Sequence, residues 1–230
     1  MQLTYQGRMH HEIADFPNQF FYDGKLNVAF DLEHLSENAK NSLQRQRAIL
    51  ALNPIDEENK IQQLIAKKRF AFIAVEESPY LPKTNIQEAD YVVQLVEEII
   101  KLYKQNNKEF NAKKSIGIIA PFRNQIALIK HKLELAKIPN FENITVDTVE
   151  RYQGSQRDII IYSFAATHFA QLNALVNLND QGNVDRKLNV ALTRAKEQLF
   201  LIGNNEILKE NKILNQLLIY LKEKEAYIEF

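Results

Sequence analysis

The sequence predicts an α/β fold, a mostly parallel β-sheet with helices on both faces. Two observations carry this expectation. Short apolar runs at 70–75, 115–120, 158–164 and 199–202 read as strands, and longer segments with apolar residues at helical spacing alternate with them. The run Asp158-Ile-Ile-Ile-Tyr-Ser-Phe164 has consecutive apolar positions, as in a strand covered on both faces.

Taken in order, Phe70-Ala-Phe-Ile-Ala-Val75 is a buried strand. Residues 85–106 follow as a helix with Ala89, Val93, Val96, Ile100 and Tyr103 along one face. Ser115-Ile-Gly-Ile-Ile-Ala120 is a second strand, stopped by Pro121, which has no N–H for a ladder. The next helix carries Ile126, Ile129 and Leu133 on one side. Ile144-Thr-Val146 is a short strand, and Leu199-Phe-Leu-Ile202 is the last one. Asn204 or Asn205 caps the final helix, whose Leu214, Leu217, Leu218 and Leu221 face inward. Residues 31–69 differ: they are helical and charged, with a break at Pro54 and Asp56, and read as a helical insertion packed on the sheet. Residues 171–185, rich in Asn and Gln, read as a surface loop.

At 230 residues and 45% hydrophobic, the chain suffices for one large domain or two small ones with a real core. Its 29 basic and 29 acidic residues cancel, so any nucleic-acid contact must come from a local patch. Without cysteine there are no disulfides, thiolate metal sites or cysteine nucleophiles, which fits a cytoplasmic protein. No apolar stretch reaches membrane-spanning length and the N-terminus lacks a signal-peptide core, so no membrane association is expected.

Four segments carry chemistry. The first is Gln6-Gly-Arg-Met-His-His11, followed by Phe16-Pro and Phe21-Tyr-Asp-Gly-Lys-Leu26. The second is Ile116-Gly-Ile-Ile-Ala-Pro-Phe-Arg-Asn-Gln125. The third is Val146-Asp-Thr-Val-Glu-Arg-Tyr-Gln-Gly-Ser-Gln-Arg-Asp158, and the fourth is Arg186-Lys-Leu-Asn-Val-Ala-Leu-Thr-Arg-Ala-Lys196. A glycine lets backbone approach a phosphate closely, and an arginine presents a planar donor fork to its oxygens. His10, His11, Glu12 and Asp15 lack the spacing of a His-Glu-x-x-His site and read as structural or solvated.

In this order the four segments resemble motifs of superfamily 1 helicases, in the branch containing the nonsense-mediated-decay RNA helicase and its DNA helicase-nuclease relatives. The resemblance implies a RecA-like P-loop NTPase fold lacking the P-loop itself. Residues 1–230 would form the second RecA-like domain, with 31–69 inserted in it. It implies two catalytic residues, Arg194 as the arginine finger and Arg8 reaching the γ-phosphate. Gln153, Gly154, Gln156 and Gly7 fall at ATP-binding positions. The family has a stacking tyrosine where this chain has Gly7, and a glutamate near the sugar where it has Gln156. Glycine cannot stack, whereas an amide still hydrogen-bonds a hydroxyl.

Pro121, Phe122, Gln125 and Thr148 fall at positions that approach nucleic acid. Phe122 has two readings, a face for a base or sugar and a core residue at a helix start. Arg123 reads as part of that helix start, and Asp158 as holding its loop.

No Gly-x-x-x-x-Gly-Lys-Ser/Thr loop is present, since the six glycines stand at 7, 24, 117, 154, 182 and 203. Nor does an Asp-Glu pair end an apolar strand. In the family both belong to the first RecA-like domain, which would bind most of ATP and Mg2+ and belong to the same polypeptide. Single-stranded DNA or RNA is the implied partner, and the fragment alone is expected to be inactive. The alternative is a non-catalytic RecA-like nucleic-acid- or partner-binding module of a nuclease or defence system. Gly7 and Gln156 favour it; two γ-phosphate sensors argue against it.

Overall fold

The computed structural model describes residues 5–28, 52–76, 83–152 and 154–229. In chain order the elements are β1 (Tyr5–Gln6), α1 (His11–Phe21), β2 (Asn27–Val28), α2 (Lys60–Lys67), β3 (Phe70–Val75), α3 (Ile86–Gln105), α4 (Ala112–Ser115), β4 (Ile116–Ile119), α5 (Arg123–Leu135), β5 (Thr145–Asp147), β6 (Arg157–Ser163), α6 (Leu172–Leu175), α7 (Arg186–Leu192), β7 (Ala195–Asn204), α8 (Asn205–Leu208), α9 (Lys212–Glu223) and β8 (Tyr227–Glu229).

Strands β3 to β8 form one all-parallel sheet in the order β5-β4-β6-β7-β3-β8, and β1 pairs with β2 separately. This is the expected RecA-like α/β architecture. Crossovers between parallel strands are right-handed. Connections running toward β5 therefore put α3 and α5 on one face, where they pack together. Connections running toward β8 put α7 and α9 on the other, and α1 packs there against α7 and β7. Ile159, Ile160 and Ile161 of β6 are all fully buried, as a central strand covered on both sides requires. Each such side chain contributes about 1.5–3 kcal/mol.

Outside residues 31–69 the expected strands and helices occur, with four differences, the first being that the expected surface loop 171–185 includes the short α6, which buries Leu172 and Leu175. Leu199–Ile202 is not the last strand, because Tyr227–Glu229 adds an edge beside β3. Three residues are too few to carry a readable period. Asn204 caps the short α8, while Asn211 caps the long final helix α9 by accepting from Ile213 and Leu214 N–H. Helix α3 buries a broader stripe than expected, including Val92, Leu95 and Ile99, because it touches the sheet, α2 and α5 together. Of the expected insertion, residues 31–51 lie outside the described residues, and α2 closes its remainder. Among the described residues no helix is long and apolar enough to cross a membrane.

One connection is unusually tight. Strands β5 and β6 flank β4, so the chain must return from the C-terminal end of β5 to the N-terminal end of β6 across one face of β4. Residues 148–156 do this. The crossover and the first residue of β6 pass so close that a Cβ on Gly117 would lie 2.6 Å from Tyr152 Oη and 2.7 Å from Arg157 Cγ. The buried Tyr152 hydroxyl donates to Thr145 O at 2.7 Å, and Arg157 Nη2 donates to Thr145 Oγ1 at 2.8 Å.

A second constraint sits at the opposite, C-terminal edge, between β4 and β6, where the connections change direction. Glu88 is fully buried there. Its Oε2 accepts from Ser163 Oγ and Ala165 N–H, both at 2.7 Å. Gln125 Nε2 donates to Ser163 Oγ at 3.1 Å and to Asn85 O at 3.0 Å, and Gln125 Oε1 accepts from Asn85 N–H at 2.8 Å. Burial pushes the Glu88 carboxyl up to about 8, against the opposing hydrogen bonds from Ser163 and Ala165. It therefore carries its proton at neutral pH.

Two outcomes follow from these contacts. Gly117→Ala should destabilise the fold by about 1–3 kcal/mol, because the crossover must shift to admit a methyl group. Urea unfolding would register a lower midpoint at unchanged slope; an unchanged midpoint would mean the close approach is absent. For Glu88, the folded value of about 8 lies above the ordinary 4.5. Its stabilising contribution is fully present below the ordinary value and is lost as pH rises through the folded one. The melting temperature should therefore fall from about pH 5 to about pH 9 more steeply in the wild type than in Glu88→Gln. Parallel melting profiles would contradict the assignment.

Candidate functional site

Two regions stand at opposite edges of the sheet, joined by the crossover. At the N-terminal edge, Gln156 immediately precedes β6 and Arg194 immediately precedes β7, and Arg157 N–H donates to Arg194 O at 3.1 Å. Helix α7 delivers Arg194. Its cap is Asp185, whose Oδ1 accepts from Asn177, Lys187 and Leu188 N–H at 3.0–3.3 Å. Asp185 is 1% exposed, and burial raises its carboxyl pKa against those bonds. Leu188, Ala191 and Leu192 fill the core under the helix.

Arg194 is half-buried and held by its own helix end. Its Nε donates to Val190 O at 3.0 Å, Nη2 to Thr193 Oγ1 at 3.1 Å and Nη1 to Ser155 O at 3.4 Å. Arg8 arrives from the loop between β1 and α1. That loop is clamped by the Gln6 amide, which accepts from Arg8 and Met9 N–H and donates to Met9 O. His10 N–H then donates to Lys196 O at 2.8 Å, tying the loop to β7. Arg8 Nε donates to Gln156 Oε1 and Nη1 to Thr193 O, each at 2.9 Å.

Neither guanidinium is ion-paired with a carboxylate among the described residues. Burial lowers the pKa of Arg194, and the neighbouring charge of Arg8 lowers it further. Two like charges held by neutral acceptors make a receptive place for an anion. This donor set fits a phosphate.

The structure brings Arg8, Arg194 and Gln156 together. Gly7 is exposed beside Arg8, and Gly154, also exposed, turns the crossover with φ +82°. Gln153 lies outside the described residues.

The four expected nucleic-acid positions divide. Pro121 and Thr148 are half-exposed at the C-terminal ends of β4 and β5. Phe122 is 7% exposed and belongs to the core, so of its two readings the geometry takes the second. Gln125 is fully buried with its amide engaged by Asn85 and Ser163, so in this fold it organises the corner rather than meeting a strand. A cleft of about 360 Å3 beside Thr148 is lined by Arg123, Lys130 and Arg151 and by one carboxylate, Asp147, which pairs with Arg151 at 3.5 Å. The sequence motifs give none of the three basic residues a binding role. Arg123 and Lys130 lie seven positions apart on one face of α5, a spacing that marks a shared face.

Other polar side chains make contacts within the fold. His10, His11 and Glu12 bring ligand-type atoms within 4.8 Å of one another, yet His10 Nδ1 accepts from Glu12 N–H and caps α1. Asp15 accepts from Tyr220 Oη, Asp158 pairs with Lys196, and Asn189 donates to Tyr22 Oη.

The chain matches the family model described as AAA domain over residues 1–206. It is 29% identical over 216 residues to Helicase sen1 of Schizosaccharomyces pombe, across 94% of this chain and 11% of that protein. It is 31% identical over 232 residues to an uncharacterized ATP-dependent helicase of Methanocaldococcus jannaschii, across 97% of this chain and 29% of the relative. Against the Regulator of nonsense transcripts 1 homolog of Drosophila melanogaster the figures are 28% over 232 residues, 99% of this chain and 17% of the relative. The chain thus spans less than a third of the length of these curated relatives. Sharing nearly its whole length with them, the chain belongs to the AAA-domain family and, within it, to the superfamily 1 helicases of the nonsense-transcript-regulator branch.

Proposed function

We propose that this chain is the second, C-terminal motor domain of an ATP-dependent DNA or RNA helicase. The observation that carries the proposal is the pair Arg8 and Arg194, held side by side by backbone carbonyls, a hydroxyl and the neutral Gln156 amide. Such a pair is stabilised by a polyanion docking from outside the domain. ATP bound mainly by a first RecA-like domain of the same polypeptide meets that need. Mg2+, held by that other domain, would neutralise charge on the phosphates.

In this reading Arg194 meets charge that develops as the γ-phosphoryl group transfers, so its contribution lies in the transition state. Arg8 supplies a second donor fork, oriented at one edge by Gln156 and at the other by Thr193 O. The crossover then links chemistry to movement. Its Thr148 end lies beside the basic cleft, and its Gln156 end holds Arg8. A shift of the crossover as the two domains close would be felt at both edges.

The test is made in the full-length protein. Arg194→Ala should lower ATP turnover about a thousandfold or more. Arg194→Lys should rescue poorly, because a point charge does not reproduce a planar fork. The melting temperature of this chain should stay within a few degrees, since the side chain bonds only to its own helix end and one loop carbonyl. This chain by itself should hydrolyse no ATP. Turnover near the wild-type rate in Arg194→Ala would sink the motor reading and favour a non-catalytic module.

A further inference from the structure

Bases of a bound single strand are commonly held by stacking on aromatic faces. Phe122, the aromatic at the expected position, is buried. The ring presented at the same edge of the sheet is Phe169, 54% exposed. It is the only exposed phenylalanine or tyrosine among the described residues, and the chain contains no tryptophan.

The turn that presents it is firmly built. Gln171 Oε1 accepts from Thr167 N–H at 2.7 Å, His168 N–H at 3.1 Å and Thr167 Oγ1 at 3.3 Å. His168 Nδ1 accepts from Ala170 N–H at 3.1 Å, which closes a capping box. Just upstream, Ala165 has φ +52°, a conformation costly for alanine, and its N–H is held by the buried Glu88. The ring is thus anchored through the turn to the sheet.

Phe169 borders a cavity of about 240 Å3 that Asn85, Thr167 and Asn204 also line. Asn204 ends β7 and Thr167 follows β6, so the cavity opens at the C-terminal ends of these strands, where parallel sheets take their ligands. Asn85 is 1% exposed. Its Oδ1 accepts from Glu88 N–H at 3.0 Å, while its Nδ2 has no hydrogen-bond partner among the described residues. A buried amide donor left unpaired is unfavourable, and an incoming carbonyl would satisfy it. Glu206 at the rim is ion-paired with Lys209 and does not oppose a phosphate chain as a bare charge.

We infer that this cavity is a base-binding subsite, in which Phe169 stacks on one base of a bound single strand and Asn85 Nδ2 donates to a carbonyl on that base. The inference rests on the proposed strand-carrying role of the domain. Thymine, uracil, cytosine and guanine carry the required carbonyl.

Because the chain has no tryptophan, Phe169→Trp installs a single reporter at the site. Titration with unlabelled oligothymidylate should quench its emission to saturation, and an abasic strand of equal length should not. By fluorescence anisotropy at low salt, Phe169→Ala should weaken labelled oligothymidylate about five- to a hundredfold, the range expected for one stacked base, and leave the abasic strand unaffected. Asn85→Ser keeps a capping hydroxyl and should weaken the same strand several-fold without a large change in melting temperature. If Phe169→Ala binds as the wild type does, or the emission of the Phe169→Trp variant is unchanged at saturating strand, the subsite is wrong while the strand track stands. If the wild-type chain binds no strand at all, the strand-carrying role fails and the subsite fails with it.

Discussion

The arrangement depends on one crossing. Residues 148–156 must bring the chain from the C-terminal end of β5 back to the N-terminal end of β6 over β4, and only a glycine at 117 leaves room for them. The crossing is sealed by the Tyr152 hydroxyl on Thr145 O and by Arg157 on Thr145 Oγ1. A longer, looser connection would still complete the sheet. It would not hold Gln156 within hydrogen-bond distance of Arg8 while keeping Thr148 beside the basic cleft.

The two edges are held by different physics. At the N-terminal edge the arginines rest on helix-end carbonyls, one hydroxyl and one neutral amide, so their charge is oriented without being cancelled. A carboxylate in place of Gln156 would pair with Arg8 directly. The amide preserves the orientation while leaving the net positive charge of the pair intact. At the C-terminal edge a protonated Glu88 gathers β6, the start of α3 and, through Ser163, the start of α5 into one buried network. A network of this kind ties its neighbourhood together, while Glu88 Oε1 and one further side-chain atom in it are left without a partner among the described residues. Asn85 Nδ2 is that further atom.

These edges also explain why short motifs far apart in the chain act together. Arg8 and Arg194 are separated by most of the sequence, and His10 N–H on Lys196 O closes that distance in one hydrogen bond. The parallel topology sends every loop of one kind to the same edge, so residues just before β6 and β7 meet each other while residues just after β4, β5 and β6 meet on the far side.

Much was legible in the sequence, for definite reasons. Consecutive apolar residues at 158–164 imply a strand covered on both faces, because only burial on both sides favours Ile-Ile-Ile-Tyr, and such strands in alternation with helices imply a parallel sheet. The motif residues near β6 and β7 were legible because they lie next to those strands in the chain. The edge strand at Tyr227–Glu229 was not, being too short for a period, nor was Asn211 as the cap of α9 ahead of Asn204. Whether Phe122 and Gln125 face solvent was also beyond the sequence, since a polar amide or an aromatic ring at a helix start is equally compatible with either side. Tertiary packing decided it: the Glu88 and Ser163 network drew Gln125 inward, the core took Phe122, and the exposed ring at that edge became Phe169 in a turn with no apolar pattern of its own. Local sequence determines which residues form a strand or helix, because period and capping act over a few residues. Which polar side chains end up buried depends on partners brought from distant segments, and only the folded sheet supplies those.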